Sequence, residues 1–144
     1  MQRGHVGINV TSLDRSQPFY EQLLGLQPMG GSREDGRRFA FLGDGATIVL
    51  TLWEQARDRF ASSSAGLHHL SFRVDSLDAV RAAERAARSL GAKLLYDGVV
   101  THREGADSGG IFFEDPDGTR LEIFAPAGIG GQAAPAHGPA CGFF

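Results

Sequence analysis

Two histidines and a glutamate, His5, His69 and Glu122, are the residues of this sequence best suited to hold a metal. Imidazole offers a neutral nitrogen and carboxylate an anionic oxygen, so the three together make a ligand set for one divalent cation. A three-ligand set leaves coordination positions open, which suits catalysis better than a closed structural site. Glu122 also stands out on energetic grounds. It lies inside Thr119-Arg-Leu-Glu-Ile-Phe124, between Leu121 and Ile123, and a carboxylate in an apolar strand is costly unless charge or hydrogen bonds compensate it. A cation supplies that compensation. Iron, manganese, nickel, cobalt and zinc all fit this donor set, and the sequence does not choose among them.

What would bring such distant residues together is an internal repeat. The run His5-Val-Gly-Ile-Asn-Val-Thr-Ser-Leu-Asp14 lies over His69-Leu-Ser-Phe-Arg-Val-Asp-Ser-Leu-Asp78, with His, Val, Ser, Leu and Asp in register. Each copy continues into a helical pattern that ends in Leu-Gly, at Leu24-Gly25 and Leu90-Gly91. Matching the Asp44-Gly45 turn to the Asp117-Gly118 turn then sets Val49 opposite Glu122, with one extra residue in the second copy. His68 adjoins His69 and alternation turns it the other way; only His69 matches His5.

Each copy reads as strand, helix, strand, strand, strand. Residues 5–10 and 69–74 alternate with period two, placing Val6, Ile8 and Val10, and Leu70, Phe72 and Val74, on the core side. Helices are expected over residues 14–24 and from Asp75 or Ser76 to Leu90, the second with Ala79, Val80, Ala83, Ala86, Ala87 and Leu90 as its buried stripe. Arg81, Arg85 and Arg88 read as a solvated face of that helix. The Asp115-Pro-Asp-Gly118 turn lacks the later acidic residue of a calcium loop and reads as structural. The fold class is α+β: two βαβββ modules, about residues 1–60 and 67–126, forming a cupped, mostly antiparallel eight-stranded sheet with helices outside. Symmetry-related His5 and His69 would then converge in a cleft. Alternation brings Asn9, Thr51, Trp53, Ser71 and Arg73 to the same face: Asn9 and Thr51 as hydrogen-bonding groups, Arg73 as a partner for an anionic substrate or a nearby acid. Phe112 is a further candidate for the pocket lining, and Tyr96 for a proton donor.

At these residues the chain resembles the vicinal oxygen chelate superfamily, which includes glyoxalase I, bleomycin-resistance proteins, fosfomycin-resistance transferases and extradiol dioxygenases. The resemblance covers residues 5–125, through His5-Val-Gly-Ile-Asn-Val, Phe19-Tyr20, Leu24-Gly25-Leu26, His69-Leu-Ser-Phe-Arg-Val and Glu114-Asp-Pro-Asp-Gly-Thr-Arg-Leu-Glu122. It implies a metal held by His5, His69 and Glu122, a substrate chelating through two adjacent oxygens, and an anionic intermediate stabilised by the metal's charge. It implies a homodimer as well. The departures narrow the chemistry. Glyoxalase-like isomerases carry a fourth, glutamate ligand where the repeat sets Val49. The extradiol enzymes carry a tyrosine where this chain has Phe112, and place an acid–base histidine near His102. Fosfomycin transferases carry a threonine where this chain has Gly7.

The whole-chain figures agree with a small-molecule partner. With 144 residues, 42% hydrophobic and 22% charged, the chain has an ordinary globular composition. A net charge of −3 gives no basic stripe for nucleic acid, and no apolar run approaches the length of a membrane span. One cysteine, Cys141, excludes an intrachain disulfide and fits a reducing compartment. With no signal-peptide layout at the start, a cytoplasmic location is expected. Residues 127–144, rich in Pro, Gly and Ala, read as a flexible tail whose apolar end, Cys141-Gly-Phe-Phe144, has the character of a docking segment. The rival to the enzyme is a metal-free binder of an aromatic drug or metabolite, of the bleomycin-binding type. There Glu122 would need a protein partner, such as Arg120 or Arg73.

Overall fold

The computed structural model describes residues 4–136 and 140–141. The chain divides into two compact units, Met1–Phe60 and Ala61–Phe144, so the second unit includes the segment expected to be a loose tail.

Unit 1 runs β1 (Val6–Asn9), α1 (Leu13–Leu24), β2 (Gln27–Ser32), β3 (Phe39–Gly43) and β4 (Ile48–Trp53). Its sheet has the order β1-β4-β3-β2, with β1 and β4 parallel and the other pairs antiparallel. Ile8, Val10, Ala40, Leu42, Leu50 and Leu52 make the buried side of the sheet, closed by Leu13, Phe19, Tyr20 and Leu23 of α1. Each of the leucine, isoleucine, valine and phenylalanine side chains taken out of water contributes about 1.5–3 kcal/mol. Val6 departs from its expected place in the core, being 36% exposed at the sheet's end. α1 stops at Gly25, which takes the left-handed conformation (φ 64°) that its missing Cβ permits. Its start is unusual. Ser12 makes no side-chain cap; instead Glu54, just past β4, accepts from the backbone N–H of Leu13 at 2.7 Å. The other oxygen of Glu54 holds Arg38 Nε at 2.8 Å, an ion pair that raises the guanidinium's pKa.

Unit 2 runs β5 (Leu70–Arg73), α2 (Leu77–Ser89), β6 (Lys93–Leu94), β7 (Val100–Thr101), β8 (Gly109–Glu114) and β9 (Arg120–Ala125). Both β6 and β7 pair with β8, on the edge away from β9, so they form one interrupted edge strand. Counted that way, the unit repeats the strand order of unit 1, with β5 parallel to β9. The described residues thus form nine strands in two sheets, where the sequence reading expects eight in one. The extra strand comes from the break at residues 95–99. Ser76 caps α2 through its hydroxyl, which accepts from Ala79 N at 3.2 Å, and Gly91 follows the helix at φ 72°. α2 covers β8 and β9, where Ile111, Phe113, Leu121, Ile123 and Ala125 are buried. Of the expected stripe, Val80 and Ala87 are fully buried and the others half-buried.

The end of the chain is joined to this unit. Ile129 and Ala140 are fully buried, Ala133 bridges to Val100, and Ala140 and Cys141 pack against Val100, Phe112, Leu95 and Tyr96. Composition missed these contacts because most of them are made by backbone groups. Phe143 and Phe144 lie outside the described residues, as does His137. No helix among the described residues is long and apolar enough to cross a membrane.

Candidate functional site

The strand ladders fix which residues of the two units correspond. Counting two residues on from each histidine, Gly7 of β1 matches Ser71 of β5. Gly7 lies opposite Thr51, and Ser71 opposite Glu122. The antiparallel neighbours agree: Phe41 faces Thr51, and Phe112 faces Glu122. The position equivalent to Glu122 is therefore Thr51, not Val49. The sequence register erred at the turn. Asp44 Oδ1 accepts from the N–H groups of Ala46 and Thr47, and Asp115 Oδ1 from those of Asp117 and Thr119. Asp44 thus does the work of Asp115; the connections are residues 44–47 and 115–119, the Asp-Gly pairs sit at different points of them, and the bulge between the Leu42 and Gly43 pairings offsets the shorter first turn.

In unit 1 the face opposite α1 carries Gly7, Asn9, Phe39, Phe41, Thr51 and Trp53. Trp53 stacks on Phe39 (centroids 5.1 Å, 24°) and donates from Nε1 to Thr51 Oγ1 at 3.0 Å, and Thr51 is only 2% exposed. A Cβ on Gly7 would come within 3.1 Å of Thr51 Oγ1, so a threonine there would crowd this pair. Asn9 is exposed beside Trp53, and His5 is exposed just ahead of β1.

In unit 2 the equivalent face gathers titratable groups. Glu122 is 4% exposed although it points away from the α2 core. Its Oε1 lies 2.7 Å from His102 Nε2 and its Oε2 lies 3.5 Å from His69 Nε2. His102 Nδ1 is in turn 2.8 Å from Ser108 Oγ. A carboxylate only accepts, so His102 must present Nε2–H to it, and in the neutral ring Nδ1 then accepts the Ser108 hydroxyl proton. His68 turns its ring toward His69, contrary to simple alternation, with the two Nδ1 atoms 2.8 Å apart. One of those nitrogens carries the hydrogen. If it is that of His69, the Nε2 lone pair of His69 faces Glu122.

The donor set fits a divalent ion at one pair of atoms. Two ligand atoms about 2.0–2.1 Å from a tetrahedral ion stand about 3.4 Å apart. The 3.5 Å between His69 Nε2 and Glu122 Oε2 matches that span, and it is long for a hydrogen bond. The 2.7 Å contact of His102 is a hydrogen bond instead. Among the described residues, no three His, Cys, Asp or Glu side chains gather as a metal cluster. The structure thus brings together His69, Glu122 and His102 of the expected residues, with Ser71 opposite Glu122, its buried Oγ without a hydrogen-bond partner. Arg73 is exposed at the end of β5, opposite Phe124. Phe112 corrects its expectation as a lining residue: it is 1% exposed, packed in the cluster with Val100 and Ala140 and edge-on to Tyr96. Ser108 was not read from the sequence at all, since a loop serine carries no pattern.

Comparison with known proteins adds an independent finding. A family model described as the Glyoxalase/Bleomycin resistance protein/Dioxygenase superfamily matches residues 2–123. A lactoylglutathione lyase of Haemophilus influenzae is 34% identical, the match covering 85% of this chain and 91% of that one. A trivalent organoarsenical cleaving enzyme of a Bacillus species is 31% identical, over 86% of this chain and 73% of that one. Among solved structures, a glyoxylase/bleomycin resistance protein/dioxygenase domain from Frankia superposes with a TM-score of 0.70 at 26% identity, covering 87% of this chain and 97% of that one.

Proposed function

This chain belongs to the Glyoxalase/Bleomycin resistance protein/Dioxygenase superfamily, and on that premise we propose that it is a divalent-metal-dependent enzyme whose small substrate chelates the metal through two adjacent oxygens. The observation that carries the reading is Glu122, a carboxylate buried to 4% exposure with His69 Nε2 at 3.5 Å, the separation of two donors on one ion. In this reading His69 and Glu122 are ligands, and the repeat assigns His5 as the third. A metal bound there would act as a Lewis acid on a substrate oxygen. The protein's own groups then divide the remaining tasks. His102 orients Glu122 and, through Ser108, gives the site an imidazole able to pass a proton. Ser71 offers a buried hydroxyl beside the carboxylate, while Thr51, Asn9 and Arg73 are substrate-binding candidates.

The known relatives support an enzyme, and this chain's residues argue against copying their reactions. A trivalent arsenical is a soft centre that favours thiolates, and the chain has one cysteine. Thr51 puts a hydroxyl, not a fourth carboxylate, at the position equivalent to Glu122, which speaks against glutathione-dependent isomerisation. Isomerisation without glutathione, lyase chemistry and oxygen insertion on a small oxygen-rich metabolite are the reactions that fit. We read the active form as a cytoplasmic homodimer.

The test is elemental analysis of protein purified without chelators or a metal-affinity tag, beside His69→Ala and Glu122→Ala. Near-stoichiometric metal in the wild type, absent from both variants, supports the reading; a wild type that takes up none even after reconstitution sinks it. A second reading, the metal-free binder, is favoured by one contact: His102 gives Glu122 the protein partner such a module requires. Its readout is quenching of the single tryptophan, Trp53, by planar aromatic ligands.

A further inference from the structure

We infer that the carboxy-terminal segment is part of the site, acting through Tyr96 and Ala140 to hold His102 in the position from which it orients Glu122. This rests on the reading of Glu122 given above.

His102 follows β7, a strand of two residues. On its inner side β7 pairs with Gly109 and Gly110 of β8, and His102 N donates to Ser108 O at 2.9 Å. Two rungs are a weak anchor for a side chain whose ring must stay within 2.7 Å of a buried carboxylate. The outer side supplies the rest, all of it from the end of the chain. Thr101 N donates to Ala133 O at 2.9 Å, and Ala140 N donates to the carbonyl of His102 itself at 2.8 Å. Ala140 is fully buried, and its own carbonyl accepts from Tyr96 Oη at 2.8 Å. Tyr96 lies edge-on to Phe112, which sits opposite Glu122 in the ladder. The order of contacts is therefore Tyr96 to Ala140, Ala140 to the His102 backbone, and the His102 ring to Glu122. Burial, with a smaller effect from nearby Cys141, keeps the Tyr96 phenol protonated above its ordinary 10, so it remains a donor at neutral pH.

Tyr96 is a positioning residue in this account. It acts through the carbonyl of Ala140, and removing its hydroxyl should be felt at the His102 ring. The segment ending at Cys141 has the same standing.

The experiment uses the whole protein labelled with nitrogen-15 at histidine and free of metal, in which long-range proton–nitrogen spectra report the tautomer of His102. Wild type should show one tautomer, protonated at Nε2. Tyr96→Phe and a chain ending at Ala136 should each give a mixture of tautomers, with far-ultraviolet dichroism unchanged. Manganese affinity should fall roughly 10–100-fold in both, as it does when a residue supporting a ligand is lost. A single unchanged tautomer with unchanged manganese affinity in Tyr96→Phe overturns the inference. Should the shortened chain fail to fold, Tyr96→Phe, which removes one oxygen, still decides. If Glu122→Ala leaves manganese binding intact, the metal reading fails on its own, and the tautomer spectra still judge the positioning.

Discussion

Thr51 and Glu122 hold the same rung of two like sheets, Thr51 opposite Gly7 and Phe41, Glu122 opposite Ser71 and Phe112. Both are buried, and both are held by a ring N–H, from Trp53 and from His102. Only the second copy carries a carboxylate at this position. Thr51→Val keeps the volume and removes the acceptor for Trp53 Nε1. We expect a loss of about 1 kcal/mol in urea unfolding, a change in Trp53 emission, and an unaltered metal load. Loss of metal from this variant would make Thr51 a ligand and refute the division of roles drawn here.

The His102–Glu122 contact should show strong non-additivity. His102→Ala strands a buried carboxylate, at a cost of roughly 1.5–3 kcal/mol for a hydrogen bond to a charged group. Adding Glu122→Gln removes the charge that was stranded, so the double variant should lose less than the sum of the two single ones. Equilibrium unfolding of the four proteins without metal measures this. Simple additivity would mean that the two side chains do not interact in solution.

Gly110 of β8 pairs with Phe124 of β9 and leaves no room for a side chain. A Cβ there would stand 2.1 Å from Ile123 O and 2.7 Å from Phe124 Cα, the two residues that follow Glu122 on the neighbouring strand. Gly110→Ala should cost about 2–3 kcal/mol or more, because backbone must move to admit the methyl, and it should lower metal occupancy by displacing β9. Gly4→Ala, with nothing within 4 Å, is the neutral control. Both are read from urea midpoints.

Acid should reveal the turn before β4. The N–H groups of Thr47 and Ala46 hold the Asp44 carboxyl below its ordinary 3.8. A depressed folded-state pKa stabilises above the unfolded value, and that contribution disappears as pH falls through the folded one. The stability gap between wild type and Asp44→Asn should therefore be full at neutral pH and close below about pH 4. A gap that stays constant into acid would show that the ionised form is not the one preferred.

Much of the fold was legible because its signals are local. Alternation placed Glu122 on the face away from the core, the pair Asp75-Ser76 announced the start of α2 without saying which residue caps it, and Gly25 and Gly91 announced the ends of both helices. Features joining distant residues were not legible. Glu54 caps α1 from 41 residues away, and nothing in its neighbours says so. Two Asp-Gly pairs invited a false register because the dipeptide marks a turn without saying which place in the turn it fills. His102 was suspected from family resemblance, but its grip on Glu122 depends on the loop at residues 102–108, which has no periodicity. The contacts of Ala133 and Ala140 use peptide groups that every residue has, so composition suggested only a loose end.

The parallel pairings have a consequence for assembly in time. In both units the opening strand pairs with the closing one, Val6 with Leu50 and Leu70 with Leu121. During synthesis β5 leaves the ribosome long before its neighbour exists, and such non-local pairing is slow to form. His69 must therefore wait for nearly the whole second unit before it meets Glu122, and the further contacts of His102 arrive only with the last residues. A nascent chain that stalls early in the second unit lacks Glu122, and with it the contacts to His69 and His102 on which the proposed metal site rests.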